Sequence, residues 1–287
     1  MSLNGIFSIG LSGVNALSTS FEAISNNVAN SQTTGYRRLE TDFSTLVSAP
    51  APELDTRVGT PRAGGGVSAI NRAAISQQGA VTRTGAETNL AINGDGFFVV
   101  SRDAAEGDAI NPFLFTRAGG FRADADGNLV NDAGYFLQGS IAGASGAATS
   151  TSLGGLRTVN IADIGLTGGA AIADIEITDD GQVIARLANG DTRALFDIPL
   201  AVFTNPDGLD DAPLSAFRRS EDSGEATLVR SGQDGAGTIE SAALELSTVD
   251  ISQEFSTLIV TQRAYASNSQ IISIADELLQ TLTETAA

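Results

Sequence analysis

Four groups of residues have types and spacings that could do chemistry. DADGN (Asp124–Asn128) has the alternating oxygens that open a calcium loop. Its glycine comes too early for an EF-hand and no Glu closes it, so a hairpin turn is the stronger reading. GDGFF (Gly94–Phe98) lacks the third glycine of a dinucleotide fingerprint, and a strand-like run rather than a helix follows. The pairs Asp179/Asp180 and Asp210/Asp211 would serve a glycosidase only if a fold brought carboxylates together across a cleft. Adjacent acids on turns are far more often solvated charge, and no aromatic-lined sugar site accompanies them.

What the chain lacks removes whole chemistries. It has no His and no Cys, and all 16 basic residues are Arg. Thiol nucleophiles, Ser-His-Asp relays, imidazole bases, His/Cys zinc sites and lysine chemistry are excluded. Carboxylate-only catalysis and a carboxylate metal site survive; no cofactor is implied. The net charge of −18 argues against nucleic acid and against anionic membrane surfaces, which both need basic protein surface. Most of the acidity lies in the middle, and the two ends are nearly neutral.

The 287 residues are 42% hydrophobic, enough for a core, and the 32 glycines with scattered Thr, Val and Phe favour a turn-rich β body. No apolar run approaches the ~20 residues of a membrane span. MSLNGIFSIGLSGVNALS lacks the basic and apolar regions of a cleaved signal peptide.

Both ends are striped. Leu3, Phe7, Gly10, Val14, Leu17, Phe21, Ile24 and Val28 alternate steps of four and three, a 3.5-residue seam of the coiled-coil kind. Its weak point is Gly10, with Gly13 nearby, since each glycine costs ~1 kcal/mol inside a helix. Ile251, Leu258, Tyr265, Ile272 and Leu279 form a matching seam, widened by Phe255, Ile259 and Leu282. Asp250 with Gln253 three residues on is a capping-box start, and a helix is predicted from about Ile251 to Thr281. The N-terminal helix buries too little by itself to outweigh the entropy of ordering it. It needs a partner along its seam, either the C-terminal helix of the same chain or further copies; the pattern alone leaves both open.

Between the ends, Ala51–Gly66 is Pro- and Gly-punctuated and reads as an extended connector. Leu90–Val100 has a Gly-Asp-Gly turn leading into a strong strand. Hairpins are predicted at Asp126-Gly127-Asn128, Asp180-Gly181 and Asn189-Gly190, dipeptides that supply the positive φ of tight turns. Gly143–Leu156 is low-complexity and reads as a loop. The predicted fold is a mainly β body with α-helical termini. The N- and C-terminal helices pair in a coiled-coil-like layer, and a discontinuous β domain lies between them. The expected organisation is an inner helix over 1–30, an extended connector over 31–70, a β domain over 71–247 and a C-terminal inner helix over 248–287.

The stretch GLSGVNALSTSFEAISNNVANSQTTGYR (Gly10–Arg37) resembles the N-terminal signature of the bacterial flagellar rod/hook axial proteins. In that family a striped helix ends in Asn-Asn-x-Ala-Asn followed by Thr-x-Gly-aromatic. Here those positions are Asn26, Asn27, Ala29, Asn30, Thr33, Gly35 and Tyr36. The resemblance continues over Gln78–Val100, with Asn89 where the family usually carries Asp, and over Phe115–Val130, Phe203–Leu209 and Val249–Leu282. Ala188–Leu209 is most similar to the hook branch. The length is not, because hook proteins usually insert an outer β domain. Here residues 141–171 would be its vestige or a loop, and a rod protein with hook-like details is the alternative.

The resemblance implies a structural, non-enzymatic subunit of the flagellar hook or basal body, outside the cell envelope. Such a subunit is exported through the flagellar type III apparatus and polymerises helically with itself. It would meet rod, hook-cap and hook–filament junction proteins. The helices would line a tube through an assembly seam of Phe7, Val14, Leu17, Phe21, Ile24, Val28, Ile251, Leu258, Tyr265, Ile272 and Leu279. The helix-exit motif would be Asn26, Asn27, Asn30, Gly35 and Tyr36. Its Asn side chains would satisfy the last helical carbonyls and tolerate left-handed backbone, Gly35 would permit the bend, and Tyr36 would anchor the connector. A secreted carboxylate-based hydrolase with oligomerising ends is the reading from a different class.

Overall fold

A computed structural model describes residues 3–47, 64–104, 113–142, 153–162, 172–188 and 190–285. Most of the connector over 51–66, most of 141–171 and of the low-complexity run 143–156, and Asn189 lie outside the described residues. The chain divides into two units. The first comprises 1–31, 38–73 and 249–287, and the second 32–37 and 74–248.

The first unit holds α1 (Leu3–Ala29), α2 (Ile251–Thr285) and a two-stranded antiparallel sheet, β1 (Leu39–Val47) with β2 (Gly64–Ala73). Leu39 pairs with Ala73 and Thr45 with Val67. Within the stretch read as a connector, residues 39–47 and 64–70 are therefore hydrogen-bonded strand, packed on α1. Ser12 accepts from the Val67 amide at 3.1 Å, and the Asn71 side chain donates to the Thr19 carbonyl at 3.0 Å. α1 and α2 run antiparallel, with Gly10 against Ile272, Gly13 against Asn268 and Phe21 against Tyr265. Asp250 caps α2, its carboxylate accepting from the amides of Ser252 and Gln253 at 2.8 and 3.2 Å.

The second unit is β. Its main sheet runs, strand beside strand, Ile172–Ile177, Gln182–Leu187, Thr192–Asp197, Phe136–Ile141, Phe97–Ser101, Leu114–Thr116, Ala216–Arg218 and Asp210–Ala212. Every residue of Phe97–Ser101 is buried, as a strand covered on both faces requires; its unbroken apolar run is the sequence mark of that position. Leu90, Ile92, Phe98, Phe121, Leu129, Leu137 and Leu200 fill the core around it. The turns come where the sequence puts Asp-Gly: Gly127 joins two paired strands at φ +87° and Gly181 joins two more at φ +79°. The strands either side of Asn189-Gly190 are paired as well.

Candidate assembly surface

The heptads of α1 and α2 meet through their small residues. Along α1 the buried positions are Gly10, Gly13, Ala16, Ser20, Ala23, Ile24 and Asn27. A Cβ added to Gly10 would sit 2.9 Å from Ile272, and one at Gly13 would sit 3.0 Å from Asn268. The two glycines that look like a weak point in an isolated helix are thus the places where α2 presses closest. Along α2 the covered line is Glu254, Thr261, Asn268 and Ala275, again seven apart. It lies three residues from each member of the line Ile251, Leu258, Tyr265 and Ile272.

The long apolar residues flank this small-residue contact. Ile24 is buried; Val14, Leu17, Phe21, Val28, Leu258 and Ile272 are half-buried; Phe7, Ile251, Tyr265 and Leu279 are exposed. Phe21 and Tyr265 meet edge to face with centroids 5.9 Å apart.

A second line on α2 escaped the sequence reading. Val260, Ala264, Ser267, Ile271, Ile274 and Leu278 also alternate steps of four and three, turned about 100° around the axis from the line that meets α1. Its large members are all exposed, Val260 by 67%. The signal was in the sequence: α2 has apolar residues on too much of its circumference for one neighbour. Fifteen of the eighteen exposed large apolar side chains among the described residues belong to the first unit.

The helix exit uses its amides for separate tasks. Asn30 folds back onto the Asn26 carbonyl, its side chain at 2.9 Å and its backbone amide at 3.0 Å, which satisfies an end-of-helix acceptor. Ser31 does the same for Val28 at 2.9 Å. Asn27 is buried and works across the chain instead. Its side-chain NH2 donates to the Leu39 carbonyl at 2.9 Å, and its oxygen accepts from the Leu39 amide at 2.8 Å. It therefore holds the start of β1 as a neighbouring strand would. Asn26 is exposed. The left-handed residue is Gly35, at φ +66°, and a Cβ there would lie 2.5 Å from the Ala118 nitrogen; no Asn of the motif has positive φ. Tyr36 is half-buried, and its carbonyl accepts from the Thr248 amide at 3.2 Å.

Arg37, the residue after the motif, belongs to a buried ionic cluster that the sequence reading missed. Inside the second unit Arg37 reaches Glu245 at 2.7 Å, and Arg117 reaches the other oxygen of Glu245 at 3.3 Å. The Gly79 amide adds a bond to Glu245 at 2.7 Å, and Arg117 also donates to the Gly94 carbonyl and lies 5.1 Å above the Phe97 ring. Burial lowers the Arg117 guanidinium from its ordinary value to about 10; Glu245 opposes that fall and Arg37 adds to it. Beside it in sequence, Arg38 binds the buried Glu254 of α2 at 2.5 Å within the first unit. Nothing in residue type marks these three arginines from the other thirteen; only carboxylate partners 128, 208 and 216 positions away do.

The acids singled out for chemistry fall elsewhere. Asp124 accepts from the amides of Asp126 and Asn128 at 2.9 and 2.8 Å, so its carboxylate staples a hairpin. Its pKa is lowered, first by the Asn128 side chain. Asp210 and Asp211 share one strand edge, where burial and the neighbouring charge raise Asp211. Asp179 lines an open depression of about 640 Å³ with Arg83, Thr238 and Glu240, and no aromatic residue borders it. Among the described residues no three potential metal ligands converge, and no helix is long and apolar enough to cross a membrane.

One unit is a β body with a closed core, and the other holds helices whose apolar lines stay open. The comparisons with known proteins identify the family. Residues 7–37 match the family described as "Flagella basal body rod protein", 91–185 match "Flagellar hook protein FlgE/F/G D1 domain", and 240–285 match "Flagellar basal body rod FlgEFG protein C-terminal". The chain is 32% identical over 280 residues to the flagellar basal-body rod protein FlgG of Bacillus subtilis (strain 168), covering 95% of this chain and 96% of that one. It is 27% identical over 406 residues to the flagellar hook protein FlgE of Brucella abortus, covering 98% and 99%. To the hook protein FlgE of Rhizobium meliloti it is 36% identical over 211 residues, covering 68% and 48%. The chain belongs to the flagellar rod/hook axial protein family, whose members are structural components of the basal body and hook and not enzymes.

Proposed function

We propose that the chain is the structural subunit of the flagellar hook, the flexible joint between rod and filament, and that it polymerises helically with itself through the first unit. The observation that carries this is the second apolar line of α2, left open while α1 occupies the first. Apolar surface of that extent on a soluble chain is stabilised when neighbouring copies cover it, and head-to-tail contacts that do not close generate a filament. In this reading the seam of Phe7, Val14, Leu17, Phe21, Ile24, Val28, Ile251, Leu258, Tyr265, Ile272 and Leu279 lies in the inner layer of the tube. Residues 141–171 stand where hook proteins carry their outer domain. The partners are rod, hook-cap and hook–filament junction proteins and the type III export apparatus.

The 36% identity with a hook protein supports the hook reading. The near-equal length shared with a rod protein favours the second reading, a rod subunit. Immunogold electron microscopy of isolated hook–basal bodies, with antibody to residues 71–247, separates the two. Gold along the curved segment is expected. Gold confined to the straight rod moves the chain to the rod, and gold on neither removes it from the axial structure.

A further inference from the structure

The hairpin joining Asp210–Ala212 to Ala216–Arg218 turns through Pro213, Leu214 and Ser215. Leu214 has φ +63° and Ser215 φ +58°, two adjacent side-chain-bearing residues in the left-handed region. Eleven described positive-φ positions elsewhere carry glycine, so the chain uses glycine freely for such backbone and does not do so here. The conformation is held from beneath by buried groups: the Tyr135 hydroxyl donates to the Pro213 carbonyl at 2.9 Å, and the Thr116 hydroxyl donates to the Ser215 carbonyl at 2.8 Å. The product is a leucine 63% exposed at the tip. Strain that the surroundings over-determine, spent on holding an apolar side chain out into water, gives nothing back within one chain.

We infer that Leu214 is an anchor that inserts into the surface of a second copy of this chain in the assembled polymer. This rests on the structural reading above. The tip has the chemistry for a protein seat: on its flank Asp210 and Asp211 outnumber Arg218, which pairs opposite Asp210, and a net negative flank suits neither a membrane nor nucleic acid. In the second unit the other exposed large apolar residues among those described are Ile141 and Leu246, so Leu214 is the most exposed apolar side chain that unit offers a neighbour. In an open helical polymer each contact joins two different surfaces, which a single projecting knob fits without needing a symmetric mate.

The test puts Leu214→Gly, Leu214→Asp and Leu214→Met into source cells that lack their own copy of the gene. Axial polymer per cell is counted by electron microscopy, and the thermal unfolding of each purified full chain is measured. Leu214→Gly relieves the backbone and is expected to melt about 2–4 °C above wild type. The same variant is expected to build at least about tenfold less polymer. Leu214→Asp loses polymer to a similar extent, and Leu214→Met keeps it. Wild-type polymer levels from the Gly and Asp variants overturn the anchor, as does a Gly variant that melts lower than wild type. If the wild-type gene itself restores no polymer, the structural reading has failed and the anchor falls with it.

Discussion

The two units solve opposite problems with the same residue alphabet. In the second unit large side chains are inside: Phe98, Leu90, Ile92, Leu129 and Leu200 are fully buried, and an ion cluster is buried with them. Among the described residues of the first unit the buried apolar ones are Ala16, Ala23, Ile24, Ala73 and Ala275, so a single large one is inside while fifteen stand exposed. A β body that encloses Phe and Leu has a core independent of neighbours. A helix pair that meets through Gly, Ala, Ser and Asn gains close backbone approach but keeps its hydrophobic free energy in reserve for other surfaces. The difference shows that helical periodicity by itself does not say which residues a helix buries within its own chain.

That contrast can be broken most sharply on α2. The double change Ile274→Asp and Leu278→Asp should leave the monomer's unfolding midpoint near wild type, because both residues are exposed, while reducing polymer about a hundredfold or more. Sedimentation and chemical denaturation of the same samples measure both. A double variant that still polymerises would show that this line is not an interface.

In the second unit the largest effect falls on stability. Glu245→Gln leaves Arg37 and Arg117 buried without their carboxylate, a change of about 3–5 kcal/mol in unfolding free energy. Its pH dependence has a defined sign. Arg117 already sits at about 10, below its ordinary value, and losing Glu245 removes what opposes that fall. A base with a depressed folded pKa is a liability while protonated, and the liability is relieved as pH rises through the folded value. The deficit of Glu245→Gln should therefore shrink as pH is raised toward 10. A deficit that grows over that range would contradict burial as the cause.

Smaller effects separate the amides of the helix exit. Asn27→Leu orphans both backbone groups of Leu39 and should cost the first unit about 1–3 kcal/mol. Asn30→Leu removes one end-of-helix bond, worth about 0.5–1.5 kcal/mol. Both are expected to leave the β unit folded and impair assembly, Asn27→Leu the more; hydrogen exchange of the Leu39 amide and polymer yield report the order. The smallest effect is at Asp124, whose depressed pKa means its turn is supported above the ordinary carboxylate range and loses that support as pH falls through the folded value. Asp124→Ala should flatten that acid limb without altering assembly.

Much of this was legible in one dimension. The β body with helical ends, the hairpins at Asp126-Gly127 and Asp180-Gly181, the Asp250 cap and the family signature around Asn26–Tyr36 all rest on local rules, where a few consecutive residues decide backbone geometry. The pairing of β1 with β2 was not legible, because the described halves of that ribbon are joined through a Pro- and Gly-punctuated run whose pattern reads as connector.

The sequence by itself determined the periods: two apolar lines at 3.5 residues, alternating strands, and glycines where turns need positive φ. Tertiary structure alone decided which line meets which. It turned Gly10 and Gly13 from weak points into the closest contact with α2, gave Asn27 to a strand and Asn30 to a helix end, and joined Arg37 to Glu245 across 208 positions. The reason is physical. Propensity and periodicity are properties of neighbours along the chain, whereas close approach, burial and charge pairing depend on distances that exist only once remote segments have met.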